Sequence, residues 1–263
     1  MFPKYIVLFL ILSLFVCTRL NTPVATAPPS LSIYFQDLTT TAPTPTTPSP
    51  DNLVTKITAT IQKTSDATYR LYYFKDTYIG SAWSPKTKDF HGTILITAAH
   101  CVIGKTSNKP RSNFWWIGHP SWDPEKKLQF TLLSYDVEKD IAILFSMEKY
   151  ELEELEISAT SPKFVDPLIV IANPPGSTAT PIIGNYLSKV VIPKQNKPCD
   201  LITNHTRPGC SGAPVVTIEG AVVTMVQGVL QFQSNGFTVG SATPRDIIIE
   251  TLESARIRPA IKE

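Results

Sequence analysis

The chain has 263 residues and a formal net charge of +2, with 17% charged residues, so it projects no single-sign field of the kind that draws nucleic acid. A hydrophobic content of 43% is enough for a core, and beyond an atypical N-terminal stretch the length suits one domain. Four His and four Cys never fall at ligand spacing, which argues against a metal site, and no pattern asks for a cofactor.

In chain order, the first feature is an apolar run over 5–17, preceded by Lys4 and stopped by Thr18-Arg19. It is shorter than the roughly 18 residues needed to cross a bilayer, which favours a secretory signal over a stable anchor for residues 1–21. Ala25-Thr26-Ala27 is small-x-small, but Pro28 follows it far from the apolar run, so cleavage stays open. Leu14-Phe15-Val16-Cys17 is a poor lipobox, with Val16 where a small residue is expected. Residues 22–52 turn to Thr, Pro, Ala and Ser; too poor in apolar residues to fold, they read as an extended, semi-rigid spacer. A signal followed by a spacer places the globular part, 53–263, outside the cytoplasm, with membrane contact only through an uncleaved N-terminal segment.

Within that part, Leu53–Gln62 reads as either a short amphipathic helix or a leading strand. Strands are expected over 68–74, 80–83 and 92–97. The last is a β-branched apolar run that delivers His100 at its C-terminal end through Ala98 and Ala99. Lys105–Trp122 reads as an inserted loop, with Trp115 and Trp116 as core or rim residues. Strands follow over 127–135 and 141–146, the second with Asp140 at its mouth, and then an acidic surface turn over 148–156. Five more strands are expected over 164–172, 184–192, 214–218, 221–231 and 237–242. A helix over 245–254 starts just after Pro244. Asn204-His205-Thr206 is a sequon that is equally well a polar loop.

Just before the strand at 214 lies Pro208-Gly209-Cys210-Ser211-Gly212-Ala213-Pro214. Acyl transfer needs a hydroxyl on a sharp turn with backbone N–H groups aimed at the oxygen that becomes negative. Gly209 lets the backbone turn without a Cβ clash, so its N–H and that of Ser211 can converge on one point. Each motif alone has a plainer reading: a structural histidine, a turn residue opening a strand, a Gly/Ser turn. The order His, Asp, Ser at three strand edges is far harder to obtain by accident.

On these residues the chain resembles the trypsin-like serine peptidases. Thr97-Ala98-Ala99-His100-Cys101 is similar to their histidine motif, Asp140-Ile141-Ala142-Ile143-Leu144 to their aspartate motif, and Gly209-Cys210-Ser211-Gly212-Ala213-Pro214 to their serine motif. Ile171-Ala172-Asn173-Pro174-Pro175-Gly176, Gly184-Asn185-Tyr186-Leu187-Ser188 and Gly80-Ser81-Ala82-Trp83 lean towards the Deg/HtrA-type branch, although Ala82 departs from its glycine. The resemblance covers about Thr68 to Leu252 and implies an all-β fold of two six-stranded antiparallel barrels with a short C-terminal helix. It implies catalysis by His100, Asp140 and Ser211, with Gly209 and Ser211 forming the oxyanion hole and proteins or peptides as substrates.

Two departures matter. No Ile-Val-Gly-Gly-like activation site is present, and Cys210 stands before the serine where digestive enzymes have Asp. Their zymogen salt bridge cannot form, so the domain is expected to be competent without trimming, and no PDZ module is expected after it. Cys210 as nucleophile would put Pro208 at a donor position, and proline has no N–H. Cys199 and Cys210 are a candidate disulfide in an oxidising compartment. Cys17 would leave with the signal, and Cys101 would stay unpaired. By resemblance, His205, Thr206, Val226, Gln227, Gly228 and Ala242 line the specificity pocket. None is acidic, so small or medium apolar side chains are expected before the scissile bond rather than Lys or Arg; the other option for the pocket is that His205 or Arg207 reaches into it and selects an acidic side chain. The alternative is a catalytically silent homologue acting as a binding module. A lipase or esterase reading is weakened by Ala213, which breaks the G-x-S-x-G elbow.

Overall fold

The computed structural model describes residues 50–263 apart from Lys75, Lys105 and the segments 175–178, 193–196 and 232–237. The segment expected to be a signal, most of the expected spacer and the end of the 171–176 stretch lie outside the described residues. Among those described, no helix is long and apolar enough to cross a membrane.

Helix α1 (Pro50–Asp66) opens the described chain and decides the helix-or-strand alternative. Ile57 and Ile61, one turn apart, pack on the main core, as an amphipathic helix should. The next elements are β1 (Thr68–Tyr73), β2 (Thr77–Trp83), β3 (Thr87–Lys88), β4 (Thr93–Thr97), α2 (Ala99–Val102), β5 (Phe114–Gly118), β6 (Leu128–Asp136) and β7 (Ile141–Ser146). Six of them close into a barrel in the order β1-β2-β4-β7-β6-β5, and every pairing is antiparallel. Strand β4 is buried along its whole length, so it carries a continuous apolar run instead of an alternating one. Strand β5 lies inside the stretch that reads as an inserted loop. Its Trp115 and Ile117 are fully buried, and it closes the ring between β1 and β6.

The second half contains β8 (Ile157–Ser158), β9 (Pro167–Ala172), β10 (Thr180–Ile192), β11 (Lys197–Ile202), β12 (Pro214–Thr217), β13 (Val222–Gln231) and β14 (Thr238–Pro244). The order β12-β9-β10-β11-β14-β13, with β12 also paired to β13, closes a second six-stranded antiparallel ring. Helix α3 (Arg245–Ser254) buries Ile247, Ile248, Thr251 and Leu252. Beyond it, β15 (Arg258–Pro259) pairs with β3, and β16 (Ile261–Lys262) pairs with β8. The two barrels and the C-terminal helix are those implied by the resemblance, giving a chymotrypsin-like fold.

Candidate active site

His100 is the second residue of α2, which begins where β4 ends. Ala98 and Ala99 are small and fully buried, and the His100 side chain emerges with 43% of its surface exposed. Asp140 precedes β7, with its backbone in the left-handed region (φ 54°), which a short polar side chain tolerates better than most. Because β4 and β7 pair with Thr97 opposite Ala142, the two strand ends bring these side chains together. His100 Nδ1 lies 3.0 Å from both carboxylate oxygens of Asp140, and the His100 backbone N–H donates to Oδ1 at 3.0 Å. With acceptors on that side, Nδ1 carries the proton and Nε2 of the neutral ring holds the lone pair.

The electrostatics follow from this contact. Burial opposes the charged imidazole, but the bond to the Asp140 carboxylate, the bond and charge of the neighbouring Cys101 sulfur and the charge of Asp140 together outweigh this and push it up to about 10. Burial likewise acts to raise the Asp140 carboxyl, yet the bond and charge of His100, then the charge of Lys197, hold it below the ordinary carboxylate range. Lys197, the first residue of β11, comes from the other barrel, with Nζ 3.5 Å from Asp140 Oδ2. A cavity of about 280 Å³ opens beside the pair, with Ile103, Asn108, Val137 and Lys197 in its wall.

The Ser211 turn is held between the barrels. The Ser81 N–H of β2 donates to the Ser211 carbonyl at 2.8 Å, and the hydroxyls of Tyr78 and Ser81 donate to the Gly209 carbonyl at 2.7 and 2.9 Å. On the other side the Gly212 N–H donates to Val226 O at 2.8 Å. Gly209 (φ 94°) and Gly212 (φ 85°) are both left-handed. A Cβ on Gly212 would also overlap the Ser81 carbonyl and the Thr97 hydroxyl, so glycine is required there. Among the described residues, neither the Gly209 nor the Ser211 N–H donates to a protein acceptor. The Ser211 hydroxyl donates to the Gln227 carbonyl at 3.0 Å, not to His100.

The other expected site residues are placed unevenly. The Thr206 hydroxyl donates to Gly228 O at 2.9 Å, while His205 and Arg207 are exposed. Val226 and Ala242 are fully buried in the second barrel's core. The Gln227 amide donates to Thr243 Oγ1 at 2.8 Å. The candidate disulfide is corrected: Cys199 and Cys210 are free thiols. Cys199, on β11, packs with Leu201 and Val239, while Cys210, in the turn before β12, packs with Ala213 and Val226 in a separate cluster, so the two sulfurs are buried apart. Asn204 of the sequon is fully buried and donates to Leu168 O and Ile182 O; in the fold it is a structural residue. Tyr78, Ser81 and Lys197 escape the sequence reading. Tyr78 and Ser81 fall at or beside a recognised strand, but nothing local marks Lys197.

The family model for the trypsin-like peptidase domain matches residues 80–225, more than half of the chain. No curated protein matches it in sequence. Among solved structures, the HtrA-type protease AlgW with a tripeptide is similar at TM-score 0.61 and 19% identity, over 75% of this chain and 62% of that one. A serine endoprotease from Yersinia pestis gives 0.58 and 16%, over 76% and 66%. The inactive form of the Rv3671c protease gives 0.57 and 19%, over 80% and 97%. This chain thus spans under two thirds of the length of the first two. The matched segment includes the His100, Asp140 and Ser211 motifs and the strands that carry them, and the chain belongs to the trypsin-like peptidase domain family.

Proposed function

We propose that this protein is a serine endopeptidase acting on protein or peptide chains outside the cytoplasm. The observation that carries the reading is the His100–Asp140 pair at the ends of β4 and β7, with Nδ1 taken by the carboxylate so that Nε2 serves as the base, beside β2, the strand paired to β4 against which the Ser211 turn is clamped. In the reaction the Ser211 hydroxyl leaves Gln227 O by rotating about χ1 and donates to His100 Nε2. Its oxygen then bonds to the scissile carbonyl carbon while His100 takes the proton, and the carbonyl π pair moves onto oxygen. The N–H groups of Gly209 and Ser211 receive that oxyanion. His100 next delivers the proton to the departing amine, and Asp140 stabilises the imidazolium throughout. Water repeats the sequence on the acyl-enzyme. The substrate main chain pairs with the Met225–Gly228 segment as an added strand. His205, Thr206, Val226, Gln227, Gly228 and Ala242 shape a site for Val, Ala, Thr or Leu before the scissile bond.

A second reading, a silent homologue that binds peptides without cutting them, draws on the resting position of the Ser211 hydroxyl on Gln227 O. A fluorophosphonate probe separates the two, because only an activated serine reacts. Labelling lost in Ser211→Ala, together with casein cleavage lost in the same variant, is expected. A wild-type protein that neither labels nor cleaves would favour the silent homologue.

A further inference from the structure

Lys197 is only 9% exposed, and a buried ammonium is costly unless it is paired. Among the described residues Asp140 is its one acidic partner, at 3.5 Å from Oδ2. The lysine spans from β11 of the second barrel to a carboxylate on the first, so the contact is made only when both barrels are assembled. It reaches that carboxylate on the oxygen that lacks the His100 backbone N–H, which goes to Oδ1.

We propose that Lys197 is a positioning residue for the His100–Asp140 pair, its ammonium fixing Oδ2 and drawing off part of the carboxylate charge so that His100 is released as a neutral base. The reason is a balance of charges. An unshared carboxylate beside the ring favours imidazolium, which cannot accept the Ser211 proton, and a cation within a few ångströms weakens that preference. The other groups that face the ring do not supply this charge at the carboxylate. The Cys101 thiol is the ring's neighbour on α2, and the Ser211 hydroxyl is turned to Gln227. Arg111, from the loop after α2, spends its guanidinium on the carbonyls of Ile103 and His100. Lys139, next to Asp140, is drawn to Glu250 at 2.8 Å.

The inference rests on reading His100 as the base, so its test is made independent of turnover. The His100 ring is titrated by NMR in the full chain carrying Ser211→Ala, where only four histidines need resolving. Adding Lys197→Met should raise the His100 midpoint by roughly one pH unit, and Lys197→Arg should restore it. In the enzyme with Ser211 intact, Lys197→Met should move the acid limb of kcat/KM by the same amount, and Lys197→Arg should return it. A purely structural role would lower activity without moving either midpoint. An unchanged His100 midpoint in Lys197→Met overturns the proposal. Should that variant fail to fold, Lys197→Gln carries the same comparison, and failure of both to fold would assign the lysine to folding and overturn the proposal too. If the wild type hydrolyses nothing, the peptidase reading fails while the titration still judges Lys197.

Discussion

At the scale of single residues, the His100–Asp140 contact makes a prediction whose sign is fixed by chemistry. The base must be unprotonated to accept the Ser211 proton, and its neighbour raises the imidazole above its ordinary 6.5. Activity should therefore rise with pH through an ionisation displaced to the alkaline side of 6.5. Measuring kcat/KM across pH 5 to 10 checks this, and a limb below 6.5 would contradict it. The same displacement means that protonation of His100 contributes to stability below pH 6.5 and that this contribution is lost as pH rises through about 10. Gly80 offers a second test. A Cβ there would meet Cys101 Sγ at 2.7 Å and the Ser211 carbonyl at 2.9 Å, so Gly80→Ala should push the nucleophile turn off β2. We expect kcat to fall at least tenfold while the barrel still folds, read as lost fluorophosphonate labelling with unchanged far-UV circular dichroism.

At the scale of elements, β2 acts as a clamp on the nucleophile turn. Tyr78 and Ser81 both donate to the Gly209 carbonyl and so fix the peptide that leads into Ser211. Each bond contributes about 1 kcal/mol, so the double variant Tyr78→Phe, Ser81→Ala should cost about 2 kcal/mol of turn order. That corresponds to a kcat lower by roughly 30-fold, with KM little changed, and an unchanged kcat would show that the turn holds itself. The elements also show what is legible in the sequence. Strands β4 and β7 read clearly because both are short, isoleucine-containing runs dominated by apolar residues, and their ends carry His100 and Asp140. Helix α3 is equally clear, being opened by Pro244 and patterned at helical spacing. Strand β5 is hidden because its two tryptophans lie amid Ser, Asn and Pro, and only closure of the barrel makes Trp115 core. Strand β11 begins Lys-Pro and contains a buried Asp200, a pattern opposed to strand propensity. Its polar residues are satisfied by partners far away in sequence, which is why Lys197 leaves no local signal.

At the scale of the molecule, the two barrels are tied by segments outside them. Helix α1 packs Ile57 and Ile61 on the main core and donates from Thr60 Oγ1 to Ile218 O at 2.8 Å, reaching the turn between β12 and β13. The tail beyond α3 adds β15 to β3 and β16 to β8. Stability of this assembly should carry a pH signature from Asp200, which is 1% exposed inside the second barrel and accepts from the Tyr186 hydroxyl at 3.2 Å. Burial pushes its carboxyl up to about 6, and nearby Lys189 offsets only part of that. A carboxyl raised on folding holds its proton better in the native state than in the unfolded chain. Its stabilising contribution is therefore complete below about pH 4 and is lost as pH climbs through 6. A midpoint displaced by about two pH units between the unfolded and folded chains corresponds to about 3 kcal/mol. Asp200→Asn keeps an acceptor for Tyr186 but removes the buried charge. Urea unfolding should show the variant more stable than the wild type by about 3 kcal/mol at pH 8, with the difference shrinking towards zero at pH 4. A difference that stays constant across that range would mean that Asp200 ionises as readily in the fold as in the unfolded chain, and that the cost of burying its charge is absent.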